Sequence, residues 1–383
     1  MLINLFGNMK TSTELMVENY ELASDIEEID ESSFGAIPFN PKAIDITPKQ
    51  LTLDNIIKRI KFEEINFSAE FQRHADLWDE EKQSRLIESI LLRLPLPSFY
   101  FDATEDDKWQ VVDGLQRLSA IRNFVVKQSL KLNGLEYLQN LNGLLFNELP
   151  RQYQRRIEET NISVYIINPS TPIEVKFNLF KRINTGGLVL KPQEIRYALN
   201  QGTPAEFLSE LADLDIFKLA TQNRISPKRM EDRDFVNRFL AFYLTDYSSY
   251  QPDLDSFLTK SLQQLNKLNR NELQQIKQSF IQALELSNFI FAETAFRKID
   301  KSTDRKLPIN KALFEVWTVL FAKITMYDMA VLKKNKDALF AQFAQLFNNE
   351  YFVKSISQAT GDVASVRTRF STVQTLLQEF INA

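Results

Sequence analysis

The sequence predicts an α+β protein: a mixed α/β domain over residues 49–200, then an all-helical domain over 201–383, behind an acidic arm and linker at 1–48. Three observations carry this. The segments rich in β-branched and aromatic residues, PSFYF, WQVV and ISVYII, all precede residue 170. Of the nine glycines only Gly361 lies beyond Gly202, as suits a helical half with few special turns. The second half repeats its apolar residues at helical spacing almost throughout.

Taken in order, residues 14–31 hold Glu14, Glu18, Glu21, Asp25, Glu27, Glu28, Asp30 and Glu31 with no lysine or arginine, the composition of a solvated arm. The interleaved Leu15, Val17, Tyr20, Leu22 and Ile26 also allow a short helix docked on a basic face. Pro38, Pro41 and Pro48 punctuate a linker. LTLDNIIKRI then has helical spacing at Leu53, Ile56, Ile57 and Ile60. In WDEEKQSRLIESILLRL, Asp79 supplies an N-cap, acids fill the first turn, and Pro95 stops the helix. PSFYF and WQVV read as strands flanking an acidic tip, Asp102 to Asp107, that reads as solvated rather than metal-binding. Asp113-Gly114 opens an amphipathic helix bearing Leu118, Ile121 and Val125, and ISVYII is a further strand. Thr171-Pro172-Ile173-Glu174 has the form of a capping box opening a helix through Phe180, and Pro192 starts another through Leu199. Helices are expected over 204–220, 231–248, 253–298, 309–332, 336–348 and 363–381.

Composition narrows the chemistry. Cysteine is absent and His74 is the single histidine. A disulfide scaffold, a Cys/His zinc site, a thiol nucleophile and a His-pair metalloprotease are excluded, and any Ser-His-Asp triad would run through His74. A His-Asn-His nuclease domain cannot be built either. A net charge of −4 argues against a uniformly basic nucleic-acid binder but leaves room for local patches. No apolar run approaches the ~18–20 residues of a membrane span, and Met1 to Met16 lack a signal-peptide core. A cytoplasmic protein without membrane partners is the expectation.

The most informative stretch is Val111-Val112-Asp113-Gly114-Leu115-Gln116-Arg117-Leu118-Ser119. A strand entering a helix through Asp-Gly leaves the first helical N–H groups aimed at the junction, where they and the dipole attract anions. Gly114 lets a phosphate approach the backbone, Arg117 can fork onto phosphate oxygens, Gln116 can orient a water or a ribose, and Asp113 can hold Mg²⁺. A plain aspartate cap with a turn glycine and a solvated arginine would give the same spacing. Two further clusters are Gln72-Arg73-His74 before Trp78, and Lys181-Arg182-Ile183-Asn184-Thr185-Gly186-Gly187 before Glu194 and Arg196. Neither a P-loop nor a Rossmann fingerprint is present. Basic residues Arg224, Lys228, Arg229, Arg233 and Arg238, and separately Arg151, Arg155 and Arg156, either track DNA phosphates or form solvated helix faces.

Gln72-Arg73 with Trp78, Val-Asp-Gly-Leu-Gln-Arg at 112–117, Arg-Ile-Asn-Thr-Gly-Gly at 182–187, and Glu194 occur in that order. In this the chain resembles the GmrSD-type restriction endonuclease N-terminal domain family, whose core is similar to the ParB/sulfiredoxin fold. The family hallmark Asp-Gly-Gln-Gln-Arg is matched by Asp113, Gly114, Gln116 and Arg117, with Leu115 replacing its first glutamine. The resemblance covers roughly residues 50–200, and more loosely Arg233-Asp234-Phe235-Val236 to Arg238-Phe239-Leu240. It implies binding and Mg²⁺-dependent hydrolysis of a nucleoside triphosphate, coupled to recognition or cleavage of foreign, including modified, DNA in phage defence. It further implies catalytic roles for Asp113, Gln116 and Arg117, with metal at Asp113. Nucleotide contacts fall to Gln72, Arg73, Gly114, Ser119, Asn184 and Glu194, and DNA contacts to Arg224, Lys228, Arg229 and Arg233. The alternative is a regulatory subunit that binds DNA or a partner without hydrolysis, its nuclease being a separate chain; an oligomer is compatible with either.

Overall fold

The computed structural model describes residues 26–27, 41–67, 78–105, 107–183, 190–299 and 307–382. They fall into two compact units. One comprises Ile37–Ala205 and Lys228–Met230, the other Glu206–Pro227 and Glu231–Ala383 with the N-terminal Met1–Ala36.

The first unit is built on a five-stranded sheet of order β1-β5-β3-β4-β2, from Ile46–Thr52 (β1), Ile65–Asn66 (β2), Phe99–Asp102 (β3), Trp109–Asp113 (β4) and Asn161–Ile167 (β5). β3 and β4 form an antiparallel hairpin, β5 runs parallel to β3, and β1 lies antiparallel to β5 with Ile46 opposite Ile167. β4 is buried on both faces: Trp109 and Val111 enter one core, Val112 another. The larger core is closed by Leu53–Lys61 (α1), Glu80–Leu91 (α2), Leu115–Ile121 (α3) and Arg151–Glu158 (α4). The smaller is closed by Ile173–Ile183 (α5) and Pro192–Leu199 (α6). Asp79 caps α2 by accepting the Lys82 N–H at 2.7 Å, as the sequence predicts. At Thr171 the outcome differs from a capping box. Its hydroxyl instead exchanges hydrogen bonds with the backbone of Asp45, tying α5 to the strand β1.

In the second unit the expected 363–381 helix forms as Val363–Ile381 and the expected 336–348 helix as Lys336–Leu346, whereas the 204–220, 253–298 and 309–332 runs are each broken into two helices. The 253–298 run becomes Leu254–Leu265 and Arg270–Phe291, separated by Asn269, whose side chain accepts from Asn271 and Glu272 N–H groups while Glu272 returns a bond to its backbone. Phenylalanines dominate the core: Phe235, Phe239, Phe280 and Phe314 are fully buried and pack ring on ring. Buried among them, Glu315 joins Arg369 and Arg238, and Arg238 in turn meets Asp234, which also accepts Lys311. Arg238 is therefore interior, not part of a DNA-tracking face. Of the acidic arm, Ile26 inserts into this core beside Ile309 and Glu27 pairs with Lys298. Among the described residues no helix is long and apolar enough to cross a membrane.

Candidate functional site

β4 ends at Asp113, and Gly114 turns the chain into α3 with φ 98°, a left-handed conformation. A Cβ there would lie 2.5 Å from Phe99 Cδ1, so both conformation and space demand glycine. No side chain caps α3; its first N–H groups after Gly114 face the junction without a cap. The helix then widens into a π-turn over Arg122–Val126.

Arg117 is the best-held residue of the junction. Its guanidinium donates to Asp113 Oδ2 at 2.7 Å, to Ser98 O at 3.3 Å and to Pro97 O, and it lies 4.5 Å over the Phe99 ring. Only 11% of its side chain is exposed. Burial draws its pKa below the usual arginine value, and Asp113 offsets part of that. The arginine thus braces the β3 start against the β4 end rather than projecting toward a ligand. Asp113, a third exposed, keeps Oδ1 outside any hydrogen bond among the described residues. Across the hairpin from it, Tyr100 stacks on Tyr165 at 4.9 Å, and burial, then Tyr165 and Asp113, raises the Tyr100 pKa.

Gln116 Oε1 accepts the Trp78 N–H at 3.2 Å; Trp78 O accepts from Gln83, and Gln83 from Asn123. This chain ties α3 to the start of α2. Leu115 turns toward the larger core, where it is a packing group. Ser119 is buried on α3.

Glu194 is buried on α6 and is gripped by Arg229, Nε to Oε1 at 2.8 Å and Nη2 to Oε2 at 2.5 Å, while also accepting the Lys191 N–H at 2.6 Å. A candidate nucleotide residue and a candidate DNA residue are therefore partners of each other. Arg224 and Lys228 are exposed, and Arg233 is held by Asp232 and Ser209. Gln72, Arg73, His74, Asn184 and the Gly186-Gly187 turn lie outside the described residues.

One buried pair escaped sequence reasoning. At the far end of the hairpin, Asp102 is not part of a solvated tip: it accepts Lys176 Nζ at 2.7 Å, with both side chains under a tenth exposed and Thr104 completing the cluster. The available signal was Lys176 on the apolar face of α5, four residues before Phe180. Among the described residues no group of three or more metal-binding side chains stands together.

Fold and site thus define a mixed α/β domain with a glycine-gated strand-to-helix junction, joined in one chain to a helical unit. Residues 53–200 match the family model of the GmrSD restriction endonuclease, N-terminal domain, and the chain carries a domain of that family. No curated protein and no solved structure matches it.

Proposed function

We propose that this protein is the nucleotide-dependent component of a DNA restriction system, acting in the cytoplasm against foreign, including modified, DNA. The observation that carries the reading is the family match over 53–200, with Asp113, Gly114, Gln116 and Arg117 concentrated at one junction whose helix start is uncapped. The residues present fit a Mg²⁺-bound triphosphate in part. Gly114 and the uncapped N–H groups suit phosphate oxygens, and Asp113 Oδ1 suits the single-carboxylate economy of magnesium sites. When bound, the cation would neutralise charge on the phosphates. Arg117 holds Asp113 in place through Oδ2, and Gln116, oriented by Trp78, faces the same helix start. Exposed Arg224 and Lys228 are assigned to DNA phosphates.

A second reading, a regulatory subunit that binds without hydrolysis and works with a separate nuclease chain, is favoured by one observation. The Arg117 cation is engaged by Asp113 and carbonyls, so it does not stand ready to neutralise a transferring phosphoryl group. The two are separated by measuring phosphate release and nucleotide binding together, for each nucleoside triphosphate with Mg²⁺, with and without DNA. Hydrolysis lost in Asp113→Asn with binding retained supports the enzyme. Binding without release in the unmodified protein supports the regulatory subunit, and neither binding nor release rejects both.

A further inference from the structure

Arg122 follows α3 directly and opens the π-turn. It is half-buried, its guanidinium lies 4.2 Å over the Phe67 ring, and its Nε is buried without a hydrogen-bond partner. Among the described residues it makes no side-chain hydrogen bond and no ion pair. Burial lowers its pKa, and no acid offsets that. This contrasts with Arg117 on the preceding turn, whose Nη1 and Nη2 are both engaged by Asp113 and backbone carbonyls. Ser119 stands three residues before Arg122, so the two share a side of the helix. Ser119 is 9% exposed, and among the described residues its hydroxyl makes no hydrogen bond. A folded protein rarely leaves a buried guanidinium nitrogen unpaired.

We propose that Ser119 and Arg122 form a phosphate-binding subsite for the nucleotide, with Arg122 as its main cation. This rests on the nucleotide reading above and deepens it by moving the phosphate-contacting arginine from Arg117 to Arg122. The Phe67 ring holds one side of the guanidinium and leaves its Nη groups as the donors for phosphate oxygens. The hydroxyl of Ser119 donates to the same group.

The test uses the full chain, with inorganic pyrophosphate, each nucleoside triphosphate and a DNA duplex as separate probes, read by calorimetry and thermal unfolding. In Arg122→Met, the dissociation constant for pyrophosphate and nucleotide rises about tenfold or more, while the ligand-free unfolding midpoint rises because an unpaired charge is gone. Ser119→Ala weakens the same binding less, and Arg122→Lys recovers only part. Unchanged nucleotide affinity in Arg122→Met overturns the proposal, as does a loss confined to DNA, which would assign the arginine to the duplex backbone. If the unmodified protein binds no nucleotide, the functional reading fails. Pyrophosphate binding lost in Arg122→Met would then still support the anion subsite.

Discussion

Gly114 concentrates two demands in one backbone position. Its φ of 98° is one that L side chains rarely adopt, and Phe99 occupies the space a Cβ would need. Gly114→Ala is therefore expected to destabilise the α/β unit by about 2–4 kcal/mol, combining left-handed strain with overpacking. Gly114→Ala with Phe99→Leu should regain the overpacking part only. Denaturant unfolding of the single and double variants checks this; full recovery in the double variant would show that conformation costs nothing. The junction also shows what a residue pattern can and cannot convey. Asp-Gly before an apolar helical period identifies the turn, because glycine chemistry is local. The engagement of Arg117 is not local: its acceptors at Pro97 and Ser98 are brought near by the β3–β4 pairing. A sequence shows an arginine four residues after an aspartate and leaves open whether its remaining donors meet a ligand or the protein.

At the scale of elements, periodicity revealed what was periodic. The hairpin strands, β5, α1, α2 and α6 were readable from alternation and caps. β1 was not, because Ile46–Thr52 is an edge strand carrying Pro48, Lys49 and Gln50, residues that blunt an edge rather than announce a strand. Residues 127–150 gave no signal either, since their order comes from side chains of α2 rather than from their own pattern. Glu88 accepts backbone N–H groups of Glu136, Tyr137 and Leu138 at 3.0, 2.7 and 2.8 Å, and Ser84 accepts that of Asn133. Burial pushes the Glu88 carboxyl upward, but those three N–H bonds win and leave its pKa below the usual 4.5. Its stabilisation is therefore complete above about pH 4.5 and is lost as pH falls through the lower folded value. Glu88→Gln keeps the size but loses the charge and one acceptor, at a cost of about 1–3 kcal/mol near neutrality. The variant should also lose less stability than the unmodified protein on acidification. Parallel acid-unfolding slopes for the two would contradict the assignment.

At the scale of the whole chain, the α/β unit is not one continuous segment. It takes Lys228–Met230 back after the chain has left at Ala205. Those three residues supply Met230 to the smaller core and Arg229 to Glu194. The sequence places Glu194 with a nucleotide and Arg229 with DNA, because 35 residues separate them and nothing local marks a buried ion pair. Arg229 adopts φ 60°, ψ 24°, a left-handed conformation that is itself unfavourable for a residue carrying a Cβ and is held by the bidentate grip. Removing the arginine leaves a carboxylate that is 2% exposed with only a backbone N–H to answer it. Arg229→Ala should therefore cost about 3–5 kcal/mol. Adding Glu194→Gln removes the stranded charge, so the double variant should regain a large part of that loss and show strongly non-additive energies. If Arg229 instead serves DNA, the single variant would unfold like the unmodified protein and differ only in salt-dependent duplex binding. Measuring both quantities on the same variants decides whether this three-residue return is a structural tie or a ligand contact.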